Sequence, residues 1–146
     1  VNKGPEKEKK KLKPKPKETI VTNPAATISQ DAFEMVSVYF EFDKYSLTPR
    51  TKGLLEDVIA IMKREKSLLL NVYGYSDSRG AENHNLLLSK NRAKKILDYL
   101  TSNGLSKKRM KINWYGEGNQ AEPCGEDCTE EQDKLNRRVE IVPSLF

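Results

Sequence analysis

Residues 73–100 read YGYSDSRGAENHNLLLSKNRAKKILDYL, and this stretch decides how the rest of the chain is arranged. It begins at the end of a β-favouring run, passes through a polar turn carrying Asp77, and enters an amphipathic segment carrying Arg92. The spacing predicts a helix near Asn83 to Ser102, closed by the C-cap pair Asn103-Gly104. Leu86, Ala93, Leu97 and Leu100 form its expected buried stripe. Asn85, Ser89 and Arg92 recur at intervals of four and three on an adjacent stripe. Strand, polar turn and helix therefore meet at one junction, with an acid on the turn and a guanidinium on the helix.

Upstream, Leu68 to Tyr75 is a short apolar strand. Before it, Thr48-Pro49 is a helix start, a capping hydroxyl followed by a proline whose φ already suits the first turn. Leu54, Leu55, Val58, Ile61 and Met62 then recur at helical spacing to about Glu65. From Val36 to Asp43 the sequence VSVYFEFD alternates, which predicts a strand with Val36, Val38, Phe40 and Phe42 on the core. A strand, a helix and a second strand suggest a right-handed crossover and a parallel pair. Downstream, Met110 to Tyr115 alternates as a third strand, and Asn136 to Val142 makes a last one. Between them Gly116 to Lys134 is an acidic excursion with a short helix expected at Thr129 to Leu135. The order is β-α-β-α-β-β, an α/β sandwich with a mixed parallel/antiparallel sheet and two helices packed on one face.

The chain has 146 residues and a net charge of +5. Residues 1–17 hold eight Lys against two Glu, a net of +6, so the remainder sums to +5 − 6 = −1. A near-neutral folded part lacks the basic surface that nucleic acid requires, and no nucleic-acid partner is expected. No run of 18 apolar residues occurs, so a membrane is expected only through parts outside this chain. Residues 1–31 read as a Lys/Pro-rich flexible linker with a possible edge strand at Ile20 to Thr22, and residues 32–146 as the folded domain. The linker is open to a second reading, a basic arm for anionic polymer or lipid.

With these residues placed, the chain resembles the OmpA-like peptidoglycan-binding domain found in OmpA C-terminal regions, peptidoglycan-associated lipoproteins and flagellar stator subunits. VYFEFDKYSLTP resembles the opening strand and helix start of that family. GYSDSRG followed by NLLLSKNRA resembles its central motif, and LNRRVEI its closing strand. Tyr75 stands for the usual His and Ser76 for the usual Thr. The resemblance implies non-covalent binding of the diaminopimelate-bearing peptide stem of peptidoglycan, within a periplasmic domain of a Gram-negative outer-membrane or cell-envelope protein. It implies that Asp77 meets the ammonium of the diamino acid and Arg92 its carboxylate. Asn85, Ser76, Glu41, Arg137 and Arg138 are the further site residues it implies. Arg137 and Arg138 alternate across a strand, so only one is expected at the site.

The residue types suit such a ligand. A diamino acid end carries both signs of charge, and a planar guanidinium meets a carboxylate through two parallel hydrogen bonds. Asp77 and Arg92 read equally as a structural ion pair when taken alone. No Ser-His-Asp, Cys-His or zinc set is evident, and Glu41 with Asp77 is not placed as a hydrolytic pair, so no enzyme and no cofactor is expected. A protein-interaction role for the acidic loop 117–133, with an envelope partner, is the alternative function. Zinc would need two ligands beyond Cys124 and Cys128, which are not evident; in the periplasmic protein that the resemblance implies, a local disulfide is the expectation, with two free thiols the alternative. His84 reads as an exposed loop residue. Tyr73, Tyr75, Trp114 and Tyr115 read as core or sheet surface, with glycan stacking as a lesser alternative.

Overall fold

The computed structural model describes residues 34–145. The linker, the Ile20 to Thr22 strand and the start of the domain at residue 32 lie outside them. The elements are β1 (Val36–Tyr39), α1 (Pro49–Arg64), β2 (Leu68–Gly74), α2 (Glu82–Ser102), β3 (Met110–Trp114), α3 (Glu130–Asn136) and β4 (Arg138–Leu145). One four-stranded mixed sheet has the order β1-β4-β2-β3. β2 and β3 pair in parallel around α2, while β4 runs antiparallel to both β1 and β2.

The crossover expected of β1, α1 and β2 is corrected by this order. The two strands point the same way but do not pair, because β4 lies between them. Parallel pairing instead follows the second helix. β1 is also shorter than its alternation suggested. It ends at Tyr39, and Asp43 takes a left-handed backbone at φ 58°. That bend frees Phe42 from the core, where it was expected, and leaves it 50% exposed.

Local signals set the starts of α1 and α3 and the end of α2. The Thr48 hydroxyl accepts from the Thr51 amide and Pro49 occupies the first turn of α1. α3 carries a reciprocal capping box between Thr129 and Gln132. Gly104, at φ 102°, follows α2 as a glycine terminator should. The α1 to β2 corner is fixed from outside, by Arg109 donating to the carbonyls of Met62, Glu65 and Leu68.

The core lies between the sheet and the two long helices. Val36, Val38, Leu70, Val72, Val139 and Ile141 face Leu55, Val58 and Met62 of α1 and Ala93, Ile96 and Leu100 of α2. The apolar stripe of α2 is rotated from the expected one: Leu88 and Ile96 are buried, Leu86 is 43% exposed, and Leu97 is half-buried. The helix turns Asn85, Ser89 and Arg92 inward instead, so three buried polar side chains share the interface with the leucines. On the other sheet face Tyr73, Tyr75 and Tyr115 cluster, with ring centroids 6.1 and 5.4 Å apart.

Gly74 sets how closely α2 approaches β2. A Cβ there would lie 2.1 Å from the Ser89 carbonyl oxygen, inside any allowed contact and against backbone that cannot rotate away. Gly74→Ala is expected to destabilise the domain by about 3 kcal/mol or more, read as a lowered urea midpoint.

Candidate ligand-binding site

Three chain segments converge beyond the end of β2. The first is the bend after β1, the second the turn 75–81, and the third the opening turns of α2. They enclose a cleft of about 220 Å³ lined by Phe42, Asp43, Asp77, Arg79, Gly80, His84, Asn85, Leu88 and Arg92.

Arg92 holds these segments together. Its Nε donates to the Lys44 carbonyl at 2.8 Å, Nη1 to the Tyr75 carbonyl at 3.0 Å and Nη2 to the Glu41 carbonyl at 3.0 Å. The residue has no exposed surface. Burial, with Arg137 nearby, lowers its pKa to about 10, against the pull of Asp77 and Asp43. It therefore stays charged at neutral pH, and two N–H groups of the fork remain beyond those three bonds.

Asp77 is 3% exposed and sits in a turn closed on itself. Its Oδ1 accepts from the Arg79 amide at 3.1 Å, and its Oδ2 from Arg79 Nη2 at 2.8 Å and Nε at 3.3 Å. Arg137 Nη1 approaches the same Oδ2 at 3.5 Å. Arg79 also lies 4.1 Å from the centre of the Phe42 ring and reaches Asp133 at 3.4 Å and Glu130 at 3.7 Å. The hydrogen bond to Asp77 raises the Arg79 pKa. Burial, with Asp77 and Glu130 nearby, raises that of Asp133 despite Arg79 and Arg137. At the mouth His84 Nε2 meets Asp43 Oδ1 at 2.6 Å.

The second wall is the excursion after β3. Asn85 donates to Glu117 at 3.0 Å, Ser89 accepts from the Gly116 amide at 2.8 Å, and Gln120 donates to the Ser76 carbonyl at 3.0 Å. Ser78 donates to the Gly125 carbonyl at 2.8 Å, inside the ring closed by the Cys124–Cys128 disulfide. The expected bridge is thus present, beside the turn that carries Asp77. No cluster of three His, Cys, Asp or Glu suited to a metal occurs among the described residues.

Asp77, Asn85 and Arg92 are brought together as expected. Arg137 joins from behind, buried and bonded to the Phe40 carbonyl at 2.8 Å and Glu130 at 3.3 Å. Only one of the two arginines was expected at the site, and it is Arg137; Arg138, carried over with it, is corrected to the opposite sheet face, stacked 3.8 Å over Tyr75 and bonded to Glu140 at 2.8 Å, because strand alternation sends it away from its neighbour. Two further expectations need correction. Glu41 turns its side chain to solvent and contributes only its carbonyl. Ser76 is buried behind the turn, its hydroxyl spent on the Asp77 carbonyl. His84 is exposed as expected, yet it lines the cleft through its pairing with Asp43. Sequence reading missed Phe42, Arg79 and that pair. For Arg79 a signal existed, since an Asp in a turn accepts from the backbone amide two residues on, which here sets Arg79 beside the carboxylate.

Comparison with known proteins agrees with this architecture. The model of the OmpA family matches residues 39–137, more than half of the chain. This chain belongs to the OmpA family. It is 30% identical over 115 residues to outer membrane porin F of Pseudomonas fluorescens, covering 79% of this chain and 34% of that protein. It is 33% identical over 105 residues to the peptidoglycan-binding protein ArfA of Mycobacterium bovis, covering 72% and 31%. The chain thus spans about a third of the length of these relatives. The crystal structure of the peptidoglycan-associated lipoprotein from Burkholderia pseudomallei superposes with a TM-score of 0.69 at 27% identity, covering 74% of this chain and 89% of that one.

Two outcomes follow from the geometry. Arg92→Gln leaves buried carbonyls without donors and is expected to cost about 2–4 kcal/mol in a urea melt. Replacing both cysteines by serine opens a ring closed across four residues of sequence separation, with an expected loss of about 2 kcal/mol. A thiol assay on the oxidised wild-type protein should find no free sulfhydryl.

Proposed function

We propose that this chain binds peptidoglycan non-covalently through the diamino acid of its peptide stem, and so anchors an outer-membrane or cell-envelope protein to the wall. One observation carries the reading: a buried carboxylate and guanidinium groups line the same small cleft. A diamino acid end presents an ammonium and a carboxylate a few ångströms apart, and diaminopimelate is the stem residue that fits. Asp77 serves the ammonium, and the fixed charge of Arg92, buried in the cleft wall, favours the carboxylate from behind. Asn85 and Arg137 hold Asp77 and the wall in place, and Leu88 and Phe42 supply the apolar lining. The reading also draws on the relatives named for the wall, the mycobacterial peptidoglycan-binding protein and the peptidoglycan-associated lipoprotein.

The domain acts in the periplasm as a binding module and not as an enzyme. The Lys/Pro composition of residues 1–31 suits a spacer between this domain and whatever it tethers. Loop 117–133 was the candidate for docking a protein partner. Its Glu117, Gln120, Glu122 and Glu130 are bonded to the cleft wall or to α3 and β4, which favours a part in building the site.

Asp77→Asn keeps the shape and the acceptor for the Arg79 amide while removing the charge. Wild-type protein is expected to co-sediment with diaminopimelate-type sacculi and release no soluble muropeptide. The variant is expected to bind at least roughly tenfold more weakly, as loss of a charge-assisted hydrogen bond implies. Undiminished sedimentation of a folded Asp77→Asn variant overturns the assignment.

A further inference from the structure

We propose that Arg79 makes the cleft selective for ligand ends that carry both an ammonium and a carboxylate, by exchanging ion-pair partners with them. This deepens the diamino acid reading and rests on it.

Three observations point to Arg79. First, the carboxylate meant for an ammonium is already neutralised from within. Both oxygens of Asp77 accept hydrogen bonds from Arg79, and Arg137 adds a second cation at Oδ2. An incoming ammonium therefore competes with a guanidinium for Asp77. Second, the accessible guanidinium of the cleft belongs to Arg79. Its side chain is 40% exposed, whereas Arg92 has no exposed surface and is committed to three backbone carbonyls. Third, a place exists for Arg79 to go. Asp133 and Glu130 already stand 3.4 and 3.7 Å from its nitrogens. Asp133 Oδ1 is buried with no hydrogen-bond partner among the described residues, so a released guanidinium has an acceptor waiting beside it.

The consequence is a filter on charge pattern. A lysine-type end offers only an ammonium. To reach Asp77 it must displace Arg79, and it adds no partner for the guanidinium beyond Asp133 and Glu130, which Arg79 already contacts, so the number of ion pairs in the cleft does not rise. A diaminopimelate-type end brings a carboxylate as well. Its ammonium takes Asp77 and its carboxylate takes the exposed fork of Arg79, so the one Asp77–Arg79 pair is replaced by two, while the contacts of Arg79 with Asp133 and Glu130 and of Asp77 with Arg137 are common to both states. Desolvated pairs of this kind are costly to leave half-made, and that asymmetry is what produces selectivity against an end lacking one charge. Phe42, beneath the guanidinium at 4.1 Å, keeps the planar group at the wall while its partner changes.

The test uses the whole chain and two synthetic stem tripeptides, identical except for meso-diaminopimelate or L-lysine at the third position, titrated by calorimetry. Wild type is expected to prefer the diaminopimelate peptide. Arg79→Ala and Arg79→Gln are expected to weaken that peptide by roughly tenfold while holding or strengthening the lysine peptide, so that the preference falls by at least about tenfold. Arg79→Lys, which keeps the charge without the fork, should retain part of it. Using both the truncation and the isosteric amide separates loss of charge from loss of packing on Phe42. A preference ratio unchanged to within about twofold in both neutral variants, with wild type binding, overturns the role of Arg79. Failure of wild type to bind either peptide overturns the diamino acid reading instead.

Discussion

The structure depends on a single buried guanidinium that takes the place of secondary structure. Beyond Tyr39 and Gly74 the two strands stop pairing, and the chain leaves the sheet in two bends whose carbonyls point inward. Such carbonyls, cut off from water, each cost about 1–3 kcal/mol if left bare. Arg92, projecting from α2, supplies donors to three of them, at Glu41, Lys44 and Tyr75. Desolvating a cation is expensive, and the lowering of its pKa to about 10 records that cost. The remaining affinity for protons is still ample at neutral pH. The same side chain therefore closes the core and presents a fixed positive charge to the cleft.

Charge in this region is balanced at close range. Arg79, Arg92 and Arg137 stand against Asp77, Glu130 and Asp133, three of each sign within one connected network. Buried pairs of this sort add little net stability, since desolvation offsets the attraction. Their value is geometric. Each carboxylate fixes a guanidinium in one orientation, and α3 brings two of the acids to a turn that is distant in sequence. The disulfide-closed ring and the Ser78 contact hold the remaining side of that turn.

Much of this was legible in the residues. The helices were readable because caps and apolar spacing are local, and Thr48-Pro49 and Asn103-Gly104 bound them nearly to the residue. The convergence of Asp77, Asn85 and Arg92 was readable because a strand, a short turn and a helix leave little freedom. The neighbours in the sheet were not. Nothing local in NRRVEIV states that β4 inserts between β1 and β2, and strand pairing is set by the whole assembly. The rotation of the α2 stripe was missed for a related reason. Leu86 and Leu97 carry the same hydrophobicity as Leu88 and Leu100, and the side that turns inward also carries Ser89 and Arg92, which satisfy backbone groups, and Asn85, which bonds the Glu117 side chain. Arg138 and Arg137 illustrate the limit of spacing: alternation predicts that they diverge, while which one meets Asp77 depends on where the strand begins.

The placement of β4 has a consequence for how the chain must assemble. The last strand in chain order among the described residues is an interior one, hydrogen-bonded on both sides, and it alone joins β1 to the β2–β3 pair. Until residues 138–145 are present, β1 has no strand to pair with. Completion of the sheet therefore awaits contacts spanning about a hundred residues, and such non-local pairing slows folding. Loss of residues 138–145 would not trim the margin of the sheet but divide it in two.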